Sequence, residues 1–168
     1  FHTDAVQTAG ALPISVKEIG ADMLSLSAHK FGGPKGFGAL YVKNGVRLEP
    51  LHSGGEQERG RRGGTSDVAG AAGTAAALTA AYSEMAAKSA EIRALKDGFA
   101  ARVLEGIPCA RLHGTLDAAR SLPGIVNFGF DGITGEELLF SLDLEGVCGS
   151  IGSACSAGSS APSRTLLA

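Results

Sequence analysis

Asp22-Met23-Leu24-Ser25-Leu26-Ser27-Ala28-His29-Lys30-Phe31-Gly32-Gly33-Pro34-Lys35-Gly36-Phe37-Gly38-Ala39-Leu40-Tyr41-Val42 reads as strand, tight turn, strand. Asp22 to Ser27 and Phe37 to Val42 are short apolar runs of strand length, and the stretch between them is too rich in Gly and Pro for regular structure. Lys30 comes directly after the first of these strands, before a glycine turn, where a side chain points into a cleft. Partial burial and nearby positive charge make such an amine available to attack a carbonyl. Ser27 and His29 flank it and can bind an anion beside it. Lys35 lies in the turn itself.

Upstream, Asp4 in His2-Thr3-Asp4-Ala5-Val6-Gln7 sits just after a strand end. A carboxylate buried there needs a cationic partner, and a protonated pyridine nitrogen is one; Gln7 can then bond a neighbouring phenolic oxygen. Ser15 to Ile19 reads as a single helical turn. Downstream, Gly54-Gly55-Glu56-Gln57-Glu58-Arg59-Gly60-Arg61-Arg62-Gly63-Gly64-Thr65 is a charged glycine-rich loop that can cradle a phosphate. It lacks Walker spacing. An Ala-rich helix of about 55 Å follows, from Val68 to Leu104, with Thr65 or Ser66 as N-cap, Asp67 at the positive end of its dipole and a break expected near Lys88 to Glu91.

The last third changes character. Ile125 to Phe130 reads as a strand, and Thr134-Gly135-Glu136-Glu137 as a capping box opening a helix to about Leu144. A short strand near Val147 leads into Ser150-Ile151-Gly152-Ser153-Ala154-Cys155-Ser156-Ala157-Gly158-Ser159-Ser160, whose small residues suit an exposed, mobile loop. Exposed thiols on such loops are reactive when ionised. Cys109 and Cys148 have more apolar sequence neighbours and are expected to be fixed and inert.

Composition bounds the rest. The 168 residues make one ordinary domain or pieces of two, and 44% hydrophobic with 19% charged residues support a packed core. A net charge of -2 and 5% aromatic residues give no platform for nucleic acid, so the reading is no nucleic-acid partner despite Arg59, Arg61 and Arg62. No apolar run reaches the roughly 18 residues of a membrane span, so no membrane partner is expected. Three cysteines without CxxC spacing argue against disulfides and zinc, so no metal site is expected and a reducing cytoplasm is the default. The chain opens on Phe1 and stops on Thr165-Leu166-Leu167-Ala168, which reads as an internal fragment of a longer protein.

Taken one at a time, Lys30 reads as a solvated loop lysine, Asp4 as a helix N-cap, the arginine loop as a solvated loop and Cys155 as an incidental thiol. Together they read otherwise. A lysine for a Schiff base, an aspartate for a pyridinium and an anion-binding loop are the parts a pyridoxal phosphate enzyme needs, and the thiol adds chemistry on sulfur.

His2 to Gln7, Ser27-Ala28-His29-Lys30 with Gly33-Pro34-Lys35-Gly36, Gln57-Glu58-Arg59-Gly60 with Arg62 and Gly64-Thr65, and Gly152-Ser153-Ala154-Cys155-Ser156 resemble, in order and over the whole chain, the cysteine desulfurases of the NifS/IscS branch of the class V aminotransferases. The resemblance implies an α/β, fold-type I pyridoxal phosphate-dependent transferase: residues 1–66 the C-terminal part of its large cofactor-binding domain, 67–105 a connecting helix, and 106–168 most of a small α+β domain with the catalytic cysteine loop. It implies that Lys30 holds pyridoxal 5'-phosphate, Asp4 pairs with its ring nitrogen, Gln7 meets its hydroxyl oxygen, and Ser27 and His29 bind its phosphate. Thr65 would reach the phosphate across a homodimer. Cys155 would receive sulfur from L-cysteine as a persulfide, leaving L-alanine, and pass it to an acceptor or iron-sulfur scaffold protein.

Glu56 replaces a usual Gly and Gly63 a common Ser. The family's N-terminal phosphate turn and ring-stacking histidine do not occur here, and its substrate-carboxylate arginine lies beyond Ala168. By this reading the 168 residues alone do not build a complete site and are inactive by themselves. A selenocysteine lyase, another class V enzyme or a non-catalytic fragment are the alternatives.

Overall fold

Met23-Leu24-Ser25-Leu26-Ser27 alternates large apolar and small polar residues, so only one of its faces favours burial. It forms β2 (Met23–Ser27), the middle of a three-stranded sheet. β1 (His2–Asp4) runs parallel to it, with His2, Thr3 and Asp4 opposite Met23, Leu24 and Ser25. β3 (Gly38–Val42) runs antiparallel, from Ser27 opposite Gly38 to Met23 opposite Val42. The computed structural model describes residues 1–152 and 164–167. Two compact units divide within one helix, between Arg93 and Ala94.

The core of the first unit is made of small residues: Ala5, Ala9, Ala21 and Ala28 are buried with Leu24. Small residues let backbone approach backbone, and the turn after β2 uses this. A 3-10 turn (Ala28–Phe31) ends at Gly32 in the left-handed region, φ 85. The Gly33 N–H then donates to the Ala28 carbonyl at 2.8 Å. A Cβ on Gly33 would stand 2.9 Å from the Cβ of Ala28, so no side chain fits there. The turn expected at Ser15 to Ile19 forms, with the Ile19 N–H donating to the Ser15 carbonyl at 3.1 Å.

After a single turn, α1 (Gln57–Gly60), comes α2 (Val68–Gly106), 39 residues and about 58 Å long at helical rise. It runs without the expected break. Its N-cap is Asp67 rather than Thr65 or Ser66: the carboxylate Oδ1 accepts the Gly70 N–H at 2.8 Å. An aspartate meets the first-turn donors with full charge, which a hydroxyl cannot. Gly70 lies against the Phe37 ring and Gly73 against Pro34, so the helix crosses the lysine turn on its small residues. Ser89 adds a hydrogen bond from its hydroxyl to the Ala11 carbonyl at 2.7 Å.

In the second unit, β4 (Ala110–His113) pairs antiparallel with β5 (Asn127–Phe130). β4 is not foreseen in the sequence analysis, since four residues beside Pro108 carry little pattern of their own. Phe99 meets Phe128 edge-on at 5.9 Å, and Ala100 is fully buried. Lys96 is buried, and its ammonium donates to Ser121 Oγ at 3.1 Å and to the Leu122 carbonyl at 3.0 Å. α3 (Gly135–Leu144) opens with the expected capping box between Thr134 and Glu137. It closes with Gly146 at φ 74, whose N–H donates to Asp143, while the Val147 N–H donates to Leu142 at 2.8 Å. That is a Schellman cap, so Val147 serves the helix end and not the strand expected there. A last turn, α4, spans Arg164–Leu167. Among the described residues no helix is long and apolar enough to cross a membrane.

Candidate active site

Because β1 and β2 are parallel, their carboxyl ends lie at one edge of the sheet, the edge where α/β folds bind ligands. Asp4 ends β1 and Ser27 ends β2. The 3-10 turn then carries His29 and Lys30 just past that edge. Four of the candidate residues are thus gathered by strand register and one turn.

Each is held in a definable way. Asp4 Oδ1 accepts the Val6 N–H at 2.8 Å, while Oδ2 has no hydrogen-bond partner among the described residues. One oxygen is anchored and the other is left for a ligand. Ser27 Oγ lies 2.9 Å from His29 Nδ1, which fixes the imidazole and turns Nε2 away from the strand end. The Lys30 ammonium is exposed and makes no hydrogen bond or ion pair with a described residue. Its backbone is firm, because Ala28 beside it is buried and its N–H donates to the Phe37 carbonyl at 3.0 Å. Gln7 is exposed in the turn that follows β1.

Thr65 stands apart. It is exposed, in the segment between α1 and α2, and shares no hydrogen bond with the other four. Glu58 and Arg59 take left-handed backbone, φ 52 and 60, and Gln57 Oε1 accepts the Gly64 N–H at 3.2 Å. The carboxylate of Asp67 already takes the Gly70 N–H in the first turn of α2 and puts negative charge at that helix end, which disfavours a second anion there. A phosphate contact from Thr65 rests on its own hydroxyl.

Sequence reasoning passed over one pair. His2 Nε2 lies 2.8 Å from Ser25 Oγ, linking β1 to β2 across the face that Asp4 shares. The signal was a histidine two residues before the aspartate on a strand, a spacing that puts both on one face.

Cys155 lies outside the described residues. Cys109 and Cys148 are exposed. Their apolar sequence neighbours do not cover them: Cys109 falls in the turn between α2 and β4, and Cys148 just beyond the helix cap at Val147. Glu137, which closes the capping box, is held below the usual glutamate range by the Thr134 backbone N–H and then by the Thr134 hydroxyl.

The sheet, the lysine turn and the long helix are those of NifS-like proteins of fold type I. A solved NifS-like protein superposes with a TM-score of 0.78 at 37% identity, over 88% of this chain and 39% of that one. The NifS-like protein of Rickettsia africae gives 0.81 at 29% identity, over 91% and 42%. Residues 1–167 match the family model described as aminotransferase class-V, and the chain belongs to that family. It is 48% identical over 167 residues to cysteine desulfurase IscS of Clostridium botulinum, covering 99% of this chain and 42% of that protein. It is 47% identical over 168 residues to cysteine desulfurase IscS of Dictyoglomus turgidum, covering 100% and 42%. The chain thus spans 42% of the length of these curated relatives.

Proposed function

We propose that this protein is a pyridoxal phosphate-dependent cysteine desulfurase, taking L-cysteine to L-alanine and leaving the sulfur on Cys155 as a persulfide. The observation that carries this is the gathering of Asp4, Ser27, His29 and Lys30 at one sheet edge, in a chain whose relatives bear that activity in their names. The donor set fits the group: an amide, a hydroxyl and imidazole held together, and, among the described residues, a carboxylate with one oxygen unbonded and an amine without a partner on a rigid turn. When bound, the cofactor supplies an aldehyde for the substrate amine and a ring that takes up the electron pair released at the α-carbon.

The residues divide the remaining work. Lys30 anchors the cofactor, then moves the α-proton of the substrate. Asp4 keeps the ring nitrogen protonated through its open oxygen. Ser27 and His29 hold the phosphate, Gln7 orients the ring hydroxyl, and Thr65 adds a phosphate contact from the second subunit of a homodimer. The Cys155 thiolate attacks the substrate sulfur. The new S–S bond forms as the substrate C–S bond breaks, its electron pair leaving with carbon, which is then protonated to alanine. The persulfide passes to a sulfur-acceptor or iron-sulfur scaffold protein in the cytoplasm.

The test is a single turnover of the full-length protein with L-cysteine. One alanine should form per sulfur added, and mass spectrometry should place that sulfur on Cys155. Added sulfur on Cys109 or Cys148, with Cys155 unmodified, contradicts the assignment.

A further inference from the structure

The mechanism leaves unused a side-chain hydrogen bond that joins β1 to β2: His2 Nε2 stands 2.8 Å from Ser25 Oγ. The reach is diagonal. His2 pairs in register with Met23, whereas Ser25 is the register partner of Asp4. Just past Asp4, the Ala5 N–H donates to the Ser25 carbonyl at 2.9 Å, and Ala5 is buried. Ser25 is therefore gripped twice. Its hydroxyl meets a side chain that precedes Asp4, and its carbonyl meets the residue that follows Asp4. The two bonds bracket Asp4 along the strand. Neither touches its carboxylate, which takes only the Val6 N–H among the described residues.

Such a bracket fixes where Asp4 stands along β2. β1 is only 3 residues long, so its ladder alone sets that position with few bonds. Lys30 is tied to the same strand further on. β2 ends at Ser27, and the turn that carries Lys30 is held by the Ala28 N–H on the Phe37 carbonyl at 3.0 Å. β2 is thus the common ruler for both residues. A pyridoxal ring carries its nitrogen and its aldehyde carbon at opposite ends of one rigid frame. It meets Asp4 and Lys30 together only where their spacing is kept. We propose that His2 and Ser25 are positioning residues, which set the spacing between Asp4 and Lys30 by locking β1 to β2 at the register of Asp4. This rests on the desulfurase reading of the site, and no covalent bond is made or broken in it.

The experiment is equilibrium dialysis of pyridoxal phosphate against the full-length protein and its variants. Ser25→Ala and His2→Phe should each weaken cofactor binding about fivefold, the scale of one hydrogen bond. The double variant should match either single one, because both remove the same bond. His2→Gln, whose amide reaches as far as the imidazole Nε2, should restore the wild-type affinity. Asp4→Ala separates positioning from a general contribution to the fold. With no carboxylate left to place, adding His2→Phe should change the affinity by less than about twofold. A purely structural role would keep its full effect in that background. Such a full loss in the Asp4→Ala background overturns the proposal, and so do wild-type affinities for both Ser25→Ala and His2→Phe. A wild type that takes up no cofactor overturns the reading of the site and the proposal with it.

Discussion

In the first unit, Asp4, Ser27, His29 and Lys30 are tied to strand ends and to a turn with no room for a Cβ at Gly33. In the second, the segment holding Cys155 comes after a helix defined at both ends by its own caps, the Thr134–Glu137 box and the Gly146 turn. The first arrangement depends on register between strands far apart in sequence. The second depends on local hydrogen bonds. A group that must grip a cofactor in one geometry is served by the former. The thiol that must meet the substrate sulfur and then deliver it follows, in sequence, the helix so capped. Disturbing the first unit should therefore harm cofactor retention, and disturbing the second should harm sulfur transfer alone.

The sharpest break in this contrast is Lys30→Ala in the full-length protein. It should abolish turnover, because no other amine follows the strand end, while Lys35→Ala should stay within about threefold of wild type. Cys155→Ala should equally abolish persulfide formation yet leave cofactor uptake unchanged, by absorbance and by mass. Cys109→Ala and Cys148→Ala should be near normal in both, although exposed, because neither belongs to the Ser-Ala-Cys motif.

A smaller effect separates packing from chemistry. Gly33→Ala places a methyl group 2.9 Å from the Cβ of Ala28 and 3.0 Å from its carbonyl oxygen. It should cost about 1–3 kcal/mol by overpacking and loosen cofactor retention by displacing Lys30. Chemical denaturation and cofactor release measured together check this. Asp67→Ala should cost about 1 kcal/mol through loss of the N-cap, with little change in cofactor affinity. If cofactor affinity falls instead, this helix end takes part in phosphate binding.

The smallest effect is a pH dependence in the second unit. The folded-state titration of Glu137 lies below its usual range, so its contribution to stability is present above that range and is lost as pH falls through and below it. Glu137→Gln should flatten the acid limb of the thermal midpoint against pH. An unchanged acid limb would show that the capping box does not set it.

Much of this was legible in residues alone, for reasons that differ by element. β2 and β3 flank a glycine-proline turn, and the capping box at Thr134 is a local code, so both were read within a residue or two. β4 was not, because Ala110-Arg111-Leu112-His113 is a strand only through its pairing with β5. Val147 was misread as a strand because apolar residues after a glycine serve strands and Schellman caps alike. The N-cap is Asp67, one or two residues later than Thr65 or Ser66, since all three side chains are competent caps and the residues alone do not choose among them. At the site, Asp4 and Lys30 stood out as chemistry-bearing types at strand ends. The His2–Ser25 link did not, because it needs the parallel register of β1 on β2, which no single segment encodes.

The central claim is that Lys30 is the residue that holds pyridoxal phosphate, and it can be put directly to the full-length protein. Loading with the cofactor, reducing with borohydride and mapping the labelled peptide by mass spectrometry should place the label on Lys30. Label on Lys35 or Lys43, with Lys30 unmodified, would contradict the account.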